Sequence, residues 1–420
     1  MYHRDILSNG LRVISSPMPH TRSVCVAIFI GAGSRYESES EAGVSHFIEH
    51  LCFKGNSRRA SAKDIAEAID GVGGLLNGGT DKEFTILWCK VARQHFPLAL
   101  DLLVDMLRYS RYDPDDLERE REIIIEELNE SMDSPQDRAN RLIDEVLWPG
   151  QPLGREIIGS KDSVGRITRD MMLDYMRKWY GTDNTVVSVA GDIGHEEVLN
   201  TVAQAFNGWS PVNPSKPQPA LDRQTEARML VEYRDTEQVH MCVAIRGLSV
   251  QHPDRYNLDL LNVILGGGMS SRLNLEIRER LGLAYDIYSY LEYYMDSGSI
   301  TVYAGIAPQK IEGALQAILG EFNRLKEEVL ESELIKAREL VKGRLMLSME
   351  DSRSVAGWAG GQDILTGKIR TVDEVVSIVD SISSVDLQRV ARQLMVTARL
   401  NVALVGPVGD EERVRGLLRL

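Results

Sequence analysis

The chain has 420 residues, 43% hydrophobic and 26% charged, with 62 acidic against 48 basic side chains and a net charge of −14. That length accommodates two to four domains and a large core, and the acidic balance argues against nucleic acid as a partner while being compatible with basic ligands or simply a solvated acidic surface. No apolar run approaches the roughly 18 residues that span a bilayer. The opening Met1-Tyr2-His3-Arg4-Asp5 lacks the pattern of a signal or transit peptide. Four cysteines (Cys25, Cys52, Cys89, Cys242) without C-x-x-C spacing suit neither a disulfide framework nor a thiolate metal site. A cytoplasmic protein with no membrane partner is the expectation.

In chain order, Leu11–Ser15 and Ser23–Ile30 read as strands, followed by a helix around Ser45–Leu51 and another over Ser61–Ile69 with Ser61 as N-cap. The Gly-rich run Gly71–Gly79 has neither Rossmann nor P-loop spacing, so it carries no phosphate-binding expectation. The strand Glu83–Cys89 comes next, then three helical stretches between His95 and Trp148. The chain then repeats itself. Cys25-Val26-Ala27-Ile28 recurs as Cys242-Val243-Ala244-Ile245, and the β-branched run Thr185–Gly191 recurs, at nearly the same separation, as Leu400–Gly406. Between the halves, Trp209–Pro219 is a Pro-rich, semi-extended linker. The pattern predicts an α+β chain of two homologous domains, 1–208 and 225–420, joined by a linker over 209–224, each a mainly antiparallel sheet packed by helices.

The chemistry concentrates in His46-Phe47-Ile48-Glu49-His50. On a helix His46 and His50 lie one turn apart on one face with Glu49 beside them, while Val44, Phe47, Ile48 and Leu51 fall on the buried face. Two imidazoles so placed can share a zinc ion, and the neighbouring carboxylate can activate a metal-bound water; H-x-x-E-H is the inverted zincin order. Position 263, equivalent to His46 in the second half, is Val263, so only one copy carries the motif. A catalytic zinc needs a third protein ligand. On the helix Pro114–Met132, at about 100° per residue, Leu117, Ile124 and Leu128 form a stripe. Glu120 and Glu127 stand on its edge, about −40° and −60° from Ile124. A carboxylate there needs a cation or hydrogen-bond partners, and zinc could be that cation for one of the two. Glu127 is the ligand candidate and Glu120 its support, with Glu126 the alternative if the helix phase differs.

With these residues in view, the chain resembles the pitrilysin-type inverzincin family, in particular its processing-peptidase branch. His46–His50 with Phe53-Lys54-Gly55 is similar to the family's zinc motif, and Glu120–Glu127 to its downstream motif, whose last Glu is a ligand and whose first supports the site. Asn77 in Leu76-Asn77-Gly78-Gly79-Thr80 resembles the Asn ahead of the substrate-binding edge strand, although Gly78 and Asp81 stand where the family usually has Ala and Ser. Gly266–Leu273 and Arg278–Tyr285 resemble the C-terminal signature, which implies that Arg278 and Tyr285 serve the first-half site. There the Tyr hydroxyl would stabilise a developing oxyanion and the Arg would hold backbone or carboxylate. The resemblance implies a metalloendopeptidase with one zinc per chain, cleaving peptides or unfolded, presequence-like segments inside a chamber of four such domains, hence a homodimer or a heterodimer with a paralogue. Substrate is expected to add as a strand beside Phe84–Trp88, with Phe84 contributing to binding. The rival expectation is a non-catalytic or partner-dependent assembly subunit of the same fold.

Overall fold

The computed structural model describes residues 2–420, and their contacts gather into two compact units. The first comprises the chain through Leu128, Arg155–Gln218 and Met346–Thr371; the second comprises Asn129–Gly154, Pro219–Leu345 and Val372–Leu420. The units are therefore discontinuous, unlike the contiguous halves a cut at the linker gives.

In the first unit six strands, β1 (His3–Ile6), β2 (Arg12–Pro17), β3 (Ser23–Ile30), β4 (Leu75–Thr80), β5 (Thr85–Ala92) and β6 (Thr185–Gly191), form a sheet in the order β1-β2-β6-β3-β5-β4. All pairings are antiparallel except β2 with β6. In the second unit β7 (Arg228–Glu232), β8 (Val239–Arg246), β9 (Ala284–Tyr293), β10 (Gly298–Ile306) and β11 (Leu400–Val405) run β7-β11-β8-β10-β9, again with one parallel pair, β7 with β11. Strip β1 and the two orders correspond strand for strand, with Cys25 and Cys242 on the matching central strands β3 and β8. The sequence repeat is thus a repeat of topology. Gly191 and Gly406, at matching strand ends, share a left-handed φ of 144° and 141°. A Cβ would stand 2.2 Å from the Ser23 carbonyl oxygen at Gly191 and 2.8 Å from that of Gln238 at Gly406, so both turns require glycine.

One face of the first sheet is covered by α1 (Val44–Cys52), α2 (Ala62–Asp70), α3 (Phe96–Tyr109) and part of α4 (Pro114–Asp133), whose apolar stripes meet Val24, Val26, Ile28 and Leu87. The other face is covered by a helix from late in the chain, Ser352–Thr366, through Ala356 and Ala359 against Cys25, Ala27, Phe29 and Trp88. The second sheet receives α5 (Pro135–Leu147) in the same way, with Ala139, Leu142, Ile143 and Val146 against Cys242, Ala244, Ala403 and Val405. Each half therefore gives one helix to the other half's unit. No helix among the described residues is long and apolar enough to cross a membrane. All four cysteines are free and buried, which raises their thiol pKa values.

Candidate metal centre

Helix α1 is fixed at its start by a residue the sequence reading passed over. The buried Glu37 carboxylate accepts the Gly43 N–H and the Ser45 N–H, each at 2.8 Å, satisfying two of the donors a helix N-terminus leaves open. Burial pushes Glu37 up to about 7 against the pull of those N–H groups. The Ser45 hydroxyl bonds the buried Tyr175 hydroxyl at 2.9 Å. Val44, Phe47, Ile48 and Leu51 then bury as the helical period requires.

This anchoring presents His46 and His50 with ring centroids 4.5 Å apart. Helix α4 brings Glu127 against them, its Oε2 lying 3.8 Å from His46 Nε2 and 3.6 Å from His50 Nε2. One donor atom from each of the three falls within 4.8 Å of the others. Ligands sharing one tetrahedral zinc at usual bond lengths stand about 3.3–3.6 Å apart, which the two Glu127–His separations approach. Glu127 Oε2 is buried and has no hydrogen-bond partner, as fits a ligand atom aimed at a cation. Burial and the nearby His50 push His46 down to about 4, so its imidazole is neutral, the form that binds metal. The three residues fit zinc. Glu126, the alternative ligand, is exposed.

Glu120 supports the centre. It is 3% exposed, with Oε2 3.1 Å from His50 Nδ1 and Oε1 2.6 Å from Lys54 Nζ. A carboxylate accepting from Nδ1–H leaves the Nε2 lone pair facing Glu127. Lys54 is the cation that the buried position of Glu120 demanded. Its signal was in the sequence, since Lys54 follows His50 by one helical turn, but sequence reasoning gave it no role. Glu49 stands outside the donor set; burial raises its pKa, opposed by a 2.7 Å hydrogen bond that the Thr80 hydroxyl donates to Oε2. Thr80 was missed because the Gly-rich run before it hides a strand.

That strand corrects the expected docking place. β5 is paired on both sides, by β3 and β4, so no peptide can add beside Phe84–Trp88; the free edge is β4. Phe84 packs on Phe29 with ring centroids 5.7 Å apart, among residues on the opposite sheet face from α1. Asn77, rather than preceding the edge strand, lies in it, exposed, with its Oδ1 accepting the Gly78 N–H at 2.7 Å. In the second unit, Arg278 sits in a π-helical turn, Asn274–Arg280, a rare local form, with its guanidinium 5.7 Å from the ring centroid of Tyr285. Tyr285, on edge strand β9, is 79% exposed.

Comparison with known proteins identifies the family. The family model "Insulinase (Peptidase family M16)" matches residues 12–161, and "Peptidase M16 inactive domain" matches 166–341. Bacillus subtilis "Uncharacterized zinc protease YmxG" is 35% identical over 98% of this chain and 99% of its own length. A Streptomyces coelicolor protein also named as a zinc protease is 33% identical over 98% of this chain and 91% of its own. In fold, the chain is similar to a protease from Helicobacter pylori, with a TM-score of 0.92 at 22% identity, over 97% of this chain and 100% of that one. It is also similar to a chain of Complex III2 from Candida albicans, with a TM-score of 0.86 at 19% identity and full coverage of both. The zinc-type donor set lies within the first matched segment, and the second matched segment carries no such set among the described residues. With these named zinc proteases matching it over nearly its whole length, the chain belongs to peptidase family M16, the pitrilysin-type group its motifs resemble.

Proposed function

We propose that the protein is a zinc metalloendopeptidase that hydrolyses peptides or unfolded, presequence-like segments, with one zinc per chain. The observation that carries this reading is the convergence of His46, His50 and Glu127 donor atoms within 4.8 Å, with Glu49 adjacent. Bound there, zinc would polarise the scissile carbonyl and acidify a water molecule. Glu49 takes the proton from the attacking water and returns it to the leaving amine. Glu120, backed by Lys54, keeps His50 in its binding tautomer. The free edge of β4, next to Asn77, offers main-chain N–H and C=O groups to an extended peptide, which gives affinity with little sequence preference. The family resemblance gives Arg278 and Tyr285 the roles of holding the substrate backbone and the developing oxyanion. The net charge favours basic peptides, and the family resemblance favours a chamber built by a homodimer or by pairing with a paralogue. Buried free thiols suit a reducing, cytoplasmic setting.

The fold alone does not separate an enzyme from an assembly subunit, so the test is chemical. Glu49→Gln is expected to abolish cleavage of a basic test peptide while zinc stays near one per chain. Full activity in that variant overturns the mechanism, and a purified wild-type chain that binds no zinc favours the assembly subunit.

A further inference from the structure

We propose that Thr80 is a positioning residue for Glu49, so that the strand with the free edge for substrate also orients the general base. This rests on the peptidase reading above. Thr80 Oγ1 donates to Glu49 Oε2 at 2.7 Å. Residues 78 and 80 share one face of β4 because side chains alternate along a strand. At Gly78 an added Cβ would stand 3.0 Å from Glu49 Oε1 and 3.2 Å from its Cγ. β4 therefore lies against the whole Glu49 carboxylate: the hydroxyl at 80 holds one oxygen, and the missing side chain at 78 leaves room beside the other.

The end of β4 that carries Thr80 is itself immobilised. Thr80 pairs with Thr85, and the turn between them closes with Asp81 N–H donating to the Phe84 carbonyl at 2.8 Å. Ser34 N–H and Arg35 N–H donate to the carbonyls of Asp81 and Lys82 at 3.2 and 2.8 Å, and Arg35 forms a buried ion pair with Glu83. At Gly33 a Cβ would lie 2.0 Å from the Asp81 carbonyl oxygen, so the turn presses on the backbone before α1. A glutamate side chain has three torsions, and a base that must meet a proton with one particular oxygen loses rate when these are free. The Thr80 hydroxyl removes that freedom by engaging Oε2, which leaves Oε1 as the oxygen that receives the proton. A peptide that pairs with β4 is then placed in register with the base through the same strand.

The test uses the full chain with Thr80→Val, which keeps the shape and removes the donor, and Thr80→Ser, which keeps the donor. With zinc near one per chain in both, Thr80→Val is expected to lower kcat by about tenfold to a hundredfold with KM within about twofold, and Thr80→Ser to stay within about threefold of wild type. A packing role would instead spare Thr80→Val, which keeps the shape, and impair Thr80→Ser, which loses the methyl. The second readout needs no metal and no turnover: thermal unfolding of the metal-free protein with Thr80→Val, Glu49→Ala and both together. The double variant is expected to lose less Tm than the two single losses combined, because each removes the same hydrogen bond. Additive losses, or equal kcat in Thr80→Val and wild type, overturn the proposal. Coupled losses in a wild-type chain that cleaves nothing overturn the peptidase reading instead, and with it the catalytic use of this contact.

Discussion

At the scale of single residues, the centre is a short chain of contacts, Lys54 to Glu120 to His50, ending on the face shared with His46 and Glu127. Glu127→Gln is expected to lose zinc, because an amide is a far weaker ligand than a carboxylate, whereas Glu126→Gln is expected to keep it, since Glu126 is exposed. Metal analysis of the two purified variants decides this, and the opposite result would move the ligand by one residue. Lys54→Met leaves the 3%-exposed Glu120 without its cation, so His50 is held less firmly. Zinc affinity, measured by chelator competition, is expected to fall about tenfold to a hundredfold. Unchanged affinity would show that Glu120 is held without Lys54. Much of this centre was legible in the sequence, because the helical period is rigid enough to assign Glu120 and Glu127 to one edge of α4 from numbering alone. Lys54, Thr80 and Glu37 were not, because their roles depend on which carboxylate or helix end each meets across the fold.

At the scale of elements, β4 was hidden because Leu75-Leu76-Asn77-Gly78-Gly79-Thr80 has low strand propensity. Its glycines do have a use: at Gly78 the Glu49 carboxylate takes the place a side chain would fill. The start of α1 was equally silent, since Gly43 offers no side chain and the capping carboxylate arrives from Glu37, earlier in the chain. That cap carries a pH dependence. Glu37 is pushed up to about 7 in the folded protein, against an ordinary value of 4.5, so the folded state binds its proton more tightly than the unfolded chain does. The stability this supplies is fully present below about pH 4.5 and is lost as pH rises to about 7. The loss is on the order of 3 kcal/mol from a shift of that size. Glu37→Gln removes the dependence. The stability advantage of wild type over Glu37→Gln is therefore expected to shrink between pH 5 and pH 8, measured by urea unfolding at each pH. An advantage that grows with pH would mean that the two N–H bonds outweigh burial and hold Glu37 ionised.

At the scale of the whole molecule, two sequence matches at nearly one separation revealed a repeated unit, and the matching strand orders bear that out. The exchange of helices was not legible, because an amphipathic period shows that a face is buried without showing what buries it. The exchange sets a limit on how the chain can be divided. The first sheet's second face consists of Ile14, Cys25, Ala27, Phe29, Trp88, Val186 and Ala190, and what covers it comes from Met346–Thr371. The covering helix approaches so closely that a Cβ at Gly360 would lie 2.3 Å from the Phe29 ring. Its Asp363 is fully buried and takes Arg4 Nε at 2.9 Å and Arg12 Nη1 at 3.4 Å. A fragment of residues 1–218, cut within the Pro-rich linker, retains His46, His50, Glu127 and the entire first sheet, yet exposes that face and leaves Arg12 without Asp363. The exposed apolar face opposes folding, because a domain's net stability is a small difference to which the burial of such a face contributes in proportion to its area. The fragment is expected to unfold without a cooperative transition and to bind a hydrophobic dye. Supplying a peptide of residues 346–371 in excess is expected to restore a thermal transition, and the same peptide with Asp363→Ala to restore less. A fragment that melts cooperatively by itself would show that the first unit does not depend on the late helix.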